Sequence, residues 1–247
     1  MKVVFNSKYP QLRAFVDDIE KNFESGKVLQ KGRNVLKRCK YGEYDLCVKQ
    51  FHRPRLLQRI VYSFLRKPKG ARAYRNAFKI NEAGCESPDS VAYVEMRRFG
   101  LITDSYYVCL FSPYTRNFYE FGDKQVDDET AEIVEAFTRA TVRLHDAGML
   151  HKDYSPGNIL FDKVDGEWHF ALIDTNRMRF GNVGAKRGCG NFARLWGQPK
   201  FFEIIAQNYA DLRNASPSDC LRWITAARRK FWTRYVRRHE APFDIKY

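Results

Sequence analysis

Read as a string of apolar and polar positions, the chain has a β-like front and a helical back. Residues 27 to 51 alternate as a hairpin. Its first arm runs from Val28 to Cys39, and Lys40-Tyr41-Gly42-Glu43 makes the turn. In the second arm, Tyr44 to Phe51, Leu46 and Val48 share one face while Cys47 and Lys49 share the other. Val91 to Met96 and Ser105 to Phe111 are also strand-like. Residues 55 to 67 predict an amphipathic helix, with Leu56, Leu57, Ile60, Val61, Phe64 and Leu65 at helical spacing and Arg55, Arg59 and Arg66 on the opposite face. A second helix over 71 to 83 is stopped by Gly84, and a long one from Asp127 to Ala147 by Gly148. Ile133, Phe137 and Leu144 give the long helix its apolar stripe. Two short strands follow, Asn158 to Asp162 and His169 to Asp174, joined by Val164-Asp165-Gly166. Residues 189 to 239 read as helical and aromatic-rich. Strands first and helices afterwards predict an α+β fold of two unequal lobes, a small β-rich one over 1–112 and a larger helical one over 113–247.

Composition narrows the class. A chain of 247 residues with 44% hydrophobic content can bury a proper core. No stretch approaches the roughly 18 apolar residues of a membrane span. The apolar run Val3-Val4-Phe5 is too short for a secretory signal, so a cytoplasmic protein is expected. The six cysteines show no C-x-x-C pair and no nearby histidine at ligand spacing, which reads as reduced thiols. The net charge of +14 is concentrated in two blocks. Ten cations and no acid lie between Asp45 and Glu82, and seven cations and no acid between Asp219 and Glu240. Such blocks point to an anionic partner, or else to a solvated cationic face.

The chemistry concentrates in His151-Lys152-Asp153-Tyr154-Ser155-Pro156-Gly157-Asn158, followed by Leu172-Ile173-Asp174. An H-x-D with Asn five residues on, then a β-hairpin ending in Asp, resembles the catalytic loop of the protein-kinase-like fold. Phosphoryl transfer requires an oriented hydroxyl and cations held against the phosphates. Asp153 would accept or orient the hydroxyl proton, while Asn158 and Asp174 offer the hard oxygens that suit Mg²⁺. The resemblance puts Lys49 where a kinase lysine pairs with the ATP phosphates. It puts Gly32, within Lys31-Gly32-Arg33, in the phosphate-covering loop, and Leu110 to Tyr114, with Leu110 and Ser112, at the adenine-binding hinge. Lys49 and Asp174 are expected about 3 to 6 Å apart, facing one phosphate-sized gap.

With Asp174-Thr175-Asn176-Arg177 in place of D-F-G, and with Asn81-Glu82-Ala83-Gly84 ahead of Ser87-Pro88 and Val91 to Glu95, the chain is similar to the bacterial lipopolysaccharide core kinases, over roughly residues 30 to 200. That resemblance implies transfer of the ATP γ-phosphate to a Kdo or heptose hydroxyl of an anionic, lipid-linked oligosaccharide at the inner face of the cytoplasmic membrane. The basic helix 55–67 would then lie toward anionic lipid. Two departures stand out. The phosphate loop has one glycine, and the helix that should offer Glu to Lys49 reads Ala71-Arg72-Ala73-Tyr74-Arg75-Asn76, leaving Glu82 as the available acid. A kinase for a protein or soluble small molecule, or a pseudokinase that only binds nucleotide, therefore stays open. Nucleic acid is disfavoured as a partner, because no zinc knuckle or RNP-type motif accompanies the charge.

Overall fold

The computed structural model describes residues 1–52, 54–65 and 67–247. The strands are β1 Lys2–Phe5, β2 Lys27–Lys31, β3 Asn34–Tyr41, β4 Tyr44–Phe51, β5 Ser90–Arg98, β6 Leu101–Leu110, β7 Arg116–Asn117, β8 Met149–His151, β9 Ile159–Val164, β10 Glu167–Leu172 and β11 Met178–Phe180. The helices are α1 Arg13–Asp17, α2 Ile19–Glu24, α3 Leu56–Ile60, α4 Lys69–Glu82, α5 Asp128–Asp146, α6 Ala185–Asn191, α7 Pro199–Arg213 and α8 Pro217–Val236. They form two compact units. The first comprises Met1–Lys79, Ser87–Pro113 and Asp174–Asn176; the second comprises Ile80–Glu86, Tyr114–Ile173 and Arg177–Tyr247.

The first unit is built on an antiparallel sheet in the order β1-β5-β6-β4-β3-β2. Its apolar face carries Leu46, Val48, Val91, Ala92 and Val108, all fully buried. Phe15, Val16, Ile19 and Phe23 of α1 and α2 cover that face. The hydrophobic pattern assigns no element to this N-terminal segment, because helices of five and six residues are too short to show a period. The first hairpin arm divides into β2 and β3, which turn on Gly32-Arg33 and slip register between Val28 and Gln30. Gly70, in the first turn of α4, lies against the sheet. A Cβ there would come within 2.5 Å of the Tyr93 ring, so only glycine permits the approach.

The helix over 55–67 differs from its expectation. It is one α-helical turn, α3, followed by a π-helical stretch at Val61–Leu65. Its burial departs from the expectation at Arg59 and at four apolar positions as well. Arg59 is 8% exposed, and its Nε donates to Ile102 O at 2.9 Å. Leu57 and Leu65 are 78% and 81% exposed. Burying Arg59 satisfies a carbonyl at the end of the β5–β6 ladder, and Ile102 N–H donates in turn to Ser63 Oγ. Those two bonds hold the helix by its polar side and turn Leu57, Ile60, Val61 and Leu65 outward. Arg66 lies outside the described residues, as do the side chains of Leu56 and Phe64.

The second unit packs α5, α7 and α8 around a core dominated by rings. Phe118 and Phe137 have centroids 4.3 Å apart, and Phe121, Phe161, Phe170 and Phe201 pack around them. Asp127 caps α5 by accepting from Thr130 N–H at 2.8 Å. Three-stranded (β10-β9-β7) and two-stranded (β11-β8) sheets carry the loops between these helices. Gly188 in α6 sits where a Cβ would lie 1.9 Å from Tyr209 Oη and 2.9 Å from His145 Nδ1. His145 is buried, and burial pulls its pKa down to about 3.

Candidate active site

In the first unit, Lys49 stands at the centre of β4, between β3 and β6. Its alternation partners Leu46 and Val48 are fixed in the core, so the lysine must project from the other face. There its Nζ donates to Asp174 Oδ1 at 2.7 Å. This is a direct ion pair, tighter than the phosphate-sized gap expected from the sequence. Both side chains are about a quarter exposed. Asp174 has a backbone φ of 52°, in the left-handed region that Asp tolerates better than most residues. The residues that follow hold it there. Asn176 Nδ2 donates to Asp174 Oδ1, Asn76 Nδ2 donates to Thr175 O at 2.7 Å, and Thr175 Oγ1 donates to Ala73 O at 3.3 Å.

Helix α4 therefore serves this segment through Asn76 and a backbone carbonyl, at the positions where the sequence lacks the usual acid. The acid that Lys49 meets is Asp174. Glu82, the acid singled out from the sequence, is exposed at the last turn of α4. Gly32 forms the β2–β3 turn, where its N–H donates to Asn34 O at 3.2 Å and no atom crowds its Cβ position. Leu110 ends β6, and its N–H is taken by Asp89 O at 2.9 Å. The Phe111 N–H goes to Asp45 O at 2.8 Å. Ser112 is buried beside Pro113, the last residue before the chain enters the second unit.

In the second unit the loop after β8 is organised by His151, which is fully buried. Asp153 N–H donates to His151 Nδ1 at 3.1 Å, so Nε2 carries the proton and donates to Ile173 O at 3.2 Å. One neutral imidazole thus joins the loop after β8 to the residue preceding Asp174. Asn158 continues the same scaffold. Its Nδ2 donates to Asp153 O at 2.8 Å and to Ser155 Oγ at 3.2 Å, while Ile173 N–H donates to Asn158 O at 3.0 Å. With its amide nitrogen so committed, Asn158 presents its carbonyl oxygen, which has no hydrogen-bond donor among the described residues. An amide carbonyl of this kind is a hard oxygen donor of the type that Mg²⁺ takes. Among the described residues no cluster of three or more His, Cys, Asp or Glu forms a closed metal cage.

The Asp153 carboxylate is 16% exposed and held from both sides. Arg194 Nη1 donates to Oδ1, and Arg177 Nη1 donates to Oδ2 at 3.1 Å. The pattern of the sequence singles out neither arginine. Arg177 lies within the Asp174-Thr175-Asn176-Arg177 stretch, but Arg194 is forty-one residues from Asp153 in a segment without a motif. The two guanidinium groups compensate a largely buried carboxylate and fix its orientation.

A family model described as "Lipopolysaccharide kinase (Kdo/WaaP) family" matches residues 23–215. Among solved structures, the chain resembles "WaaP in complex with acyl carrier protein", with a TM-score of 0.64 and 18% identity over 94% of this chain and 100% of that one. Shared fold is what this likeness conveys. None of the curated proteins searched matches the sequence.

Proposed function

The chain belongs to the lipopolysaccharide kinase (Kdo/WaaP) family, and from that premise we propose that it transfers the γ-phosphate of ATP to a Kdo or heptose hydroxyl of a lipid-linked core oligosaccharide. Membership makes it a phosphotransferase of lipopolysaccharide biosynthesis acting on a sugar hydroxyl. The proposal adds the donor, the metal, the acceptor and the residues. Its main support is the loop in which Asn158 and His151 brace Asp153 and lead directly to Asp174.

In this reading Asp153, aimed by Arg177 and Arg194, accepts the proton of the acceptor hydroxyl as the oxygen attacks. Lys49 exchanges its contact with Asp174 for oxygens of the α- and β-phosphates. Asn158 and Asp174 would each offer a hard oxygen to magnesium, whose charge would offset that of the phosphates. Gly32 at the β2–β3 turn gives the phosphates an uncrowded backbone, and Leu110 and Ser112 meet the adenine. Magnesium-dependent ATP turnover, measured with and without purified lipopolysaccharide precursor, tests the reading. Turnover should rise with precursor. A protein that binds ATP without turning it over is the nucleotide-binding module instead, and turnover indifferent to the precursor points to another acceptor.

The proposed acceptor is anchored in a membrane, and the first unit carries a surface suited to that place. Leu57, Ile60, Val61 and Leu65 face outward, as does Phe99 (90% exposed) in the β5–β6 turn, with exposed Arg55, Arg97 and Arg98 nearby in the chain. No helix is long and apolar enough to cross a membrane among the described residues. Apolar side chains bordered by cations fit the interface of an anionic bilayer, and here the contact is made by the apolar side rather than by Arg59. Replacing Leu57, Leu65 and Phe99 by Asp should abolish sedimentation with anionic vesicles. Retained sedimentation would refute the contact. Acyl carrier protein, the partner in the WaaP complex, belongs in the assay as the competing occupant.

A further inference from the structure

Beside the catalytic loop, wholly within the second unit, lies a pocket of about 400 Å³. Lys152, Arg179, Arg187 and Arg194 line it together with Asn191 and Phe231, and among the described residues no acidic one does. Arg194 is the only one of the four cations that meets a carboxylate among the described residues, and that carboxylate is Asp153. Arg187 donates to a backbone oxygen, Asn182 O, at 3.2 Å. With one carboxylate, Asp153, set against four cations, the concavity keeps a positive potential that draws in an anion.

A second observation points the same way. Asn191 is 9% exposed, and its Nδ2 is buried with no hydrogen-bond partner among the described residues. A buried amide donor left without an acceptor costs roughly 1–3 kcal/mol, so such a group in a pocket wall marks the place of an acceptor that arrives from outside. Phe231, with the Arg194 guanidinium 5.0 Å from its centroid, adds an aromatic wall against which the C–H face of a sugar can pack.

We infer that this pocket binds the oxyanion substituent, carboxylate or phosphate, of the acceptor sugar and thereby determines which sugar is used. The inference rests on the phosphotransfer reading for the word acceptor, though not for the existence of the site. Arginine forks recognise such oxygens bidentately, and the Asn191 amide supplies a fixed neutral donor. Arg194 touches both the pocket and Asp153, so a sugar anchored there brings a hydroxyl to the carboxylate that would deprotonate it.

Calorimetric titration of the intact protein tests this with four probes: free Kdo, a heptose phosphate, neutral heptose and inorganic phosphate. At least one of the two sugar anions should bind tenfold or more tighter than both neutral heptose and inorganic phosphate. The comparison of Kdo with heptose phosphate identifies the oxyanion preferred. The double variant Arg179→Glu/Arg187→Glu should lose at least tenfold in that affinity. Asn191→Asp, nearly isosteric but acceptor-only, should do the same. If Asn191→Asp fails to fold, the exposed arginine pair still decides the matter. Equal binding of neutral heptose, equal binding of inorganic phosphate, or unchanged affinity in the double variant would overturn the inference. Absent ATP turnover with sugar binding intact would remove the phosphotransfer reading and leave the pocket standing.

Discussion

Asp153 and Asp174 are only twenty-one positions apart, yet the two units treat them differently. Asp174 belongs to the first unit and is held by one lysine, a neighbouring amide and a left-handed backbone. Asp153 belongs to the second, where two arginines and a histidine-braced loop fix it. A lysine is a single, readily hydrated charge on a flexible stem, so its contact is easily exchanged. Guanidinium groups are planar, permanently charged donors that keep a carboxylate in place. In the proposed reading, the first arrangement suits a group that gives up its partner to a metal and a phosphate. The second suits a group that must stay aimed throughout.

The largest expected effect follows directly. Asp153→Ala should lower turnover by roughly 10² or more while magnesium-dependent nucleotide binding persists. Asp174→Ala should lose turnover and that binding together. Equilibrium titration with a fluorescent ATP analogue separates the two, and wild-type turnover in Asp153→Ala would break the comparison.

A smaller effect is expected one step back from Asp174. Asn76→Ala removes the donor to Thr175 O and leaves a buried carbonyl without that bond, which costs about 1–3 kcal/mol. Affinity for magnesium-ATP should fall severalfold, while the acceptor KM stays the same. If instead the acceptor KM alone rises, Asn76 does not support the Asp174 segment.

The smallest effect concerns pH and the scaffold of Asp153. His145 is held neutral by burial, with its pKa down at about 3 against an ordinary value of 6.5. The unfolded chain gains that proton first, so the second unit should lose stability as pH falls below about 6.5, by up to about 1.4 kcal/mol per unit. All four tryptophans, Trp168, Trp196, Trp223 and Trp232, belong to the second unit, so their fluorescence follows its unfolding alone. Urea midpoints read this way should drop between pH 7 and pH 5 in the parent and drop less in His145→Gln. Equal slopes would assign the acid sensitivity elsewhere.

The strand carrying Lys49, the long helix and the hairpin leading to Asp174 were legible in the chain itself, because each is a local pattern. Alternation places Lys49 opposite Leu46 and Val48, and the spacing from His151 to Asp174 is set by one loop and one β-hairpin. What lay beyond reach depends on residues distant in sequence. Arg194 reaches Asp153 across forty-one positions, and Asn76 reaches Thr175 across ninety-nine. Whether Arg59 or Leu57 faces water was also settled far from its own helix. Periodicity identifies two faces without saying which one is inward, and a carbonyl at Ile102 took the arginine. Local hydrogen-bond geometry and side-chain alternation are written into neighbouring residues. The partner of a buried charge is chosen only when the chain closes on itself, where leaving that charge unpaired would cost more than leaving leucines exposed.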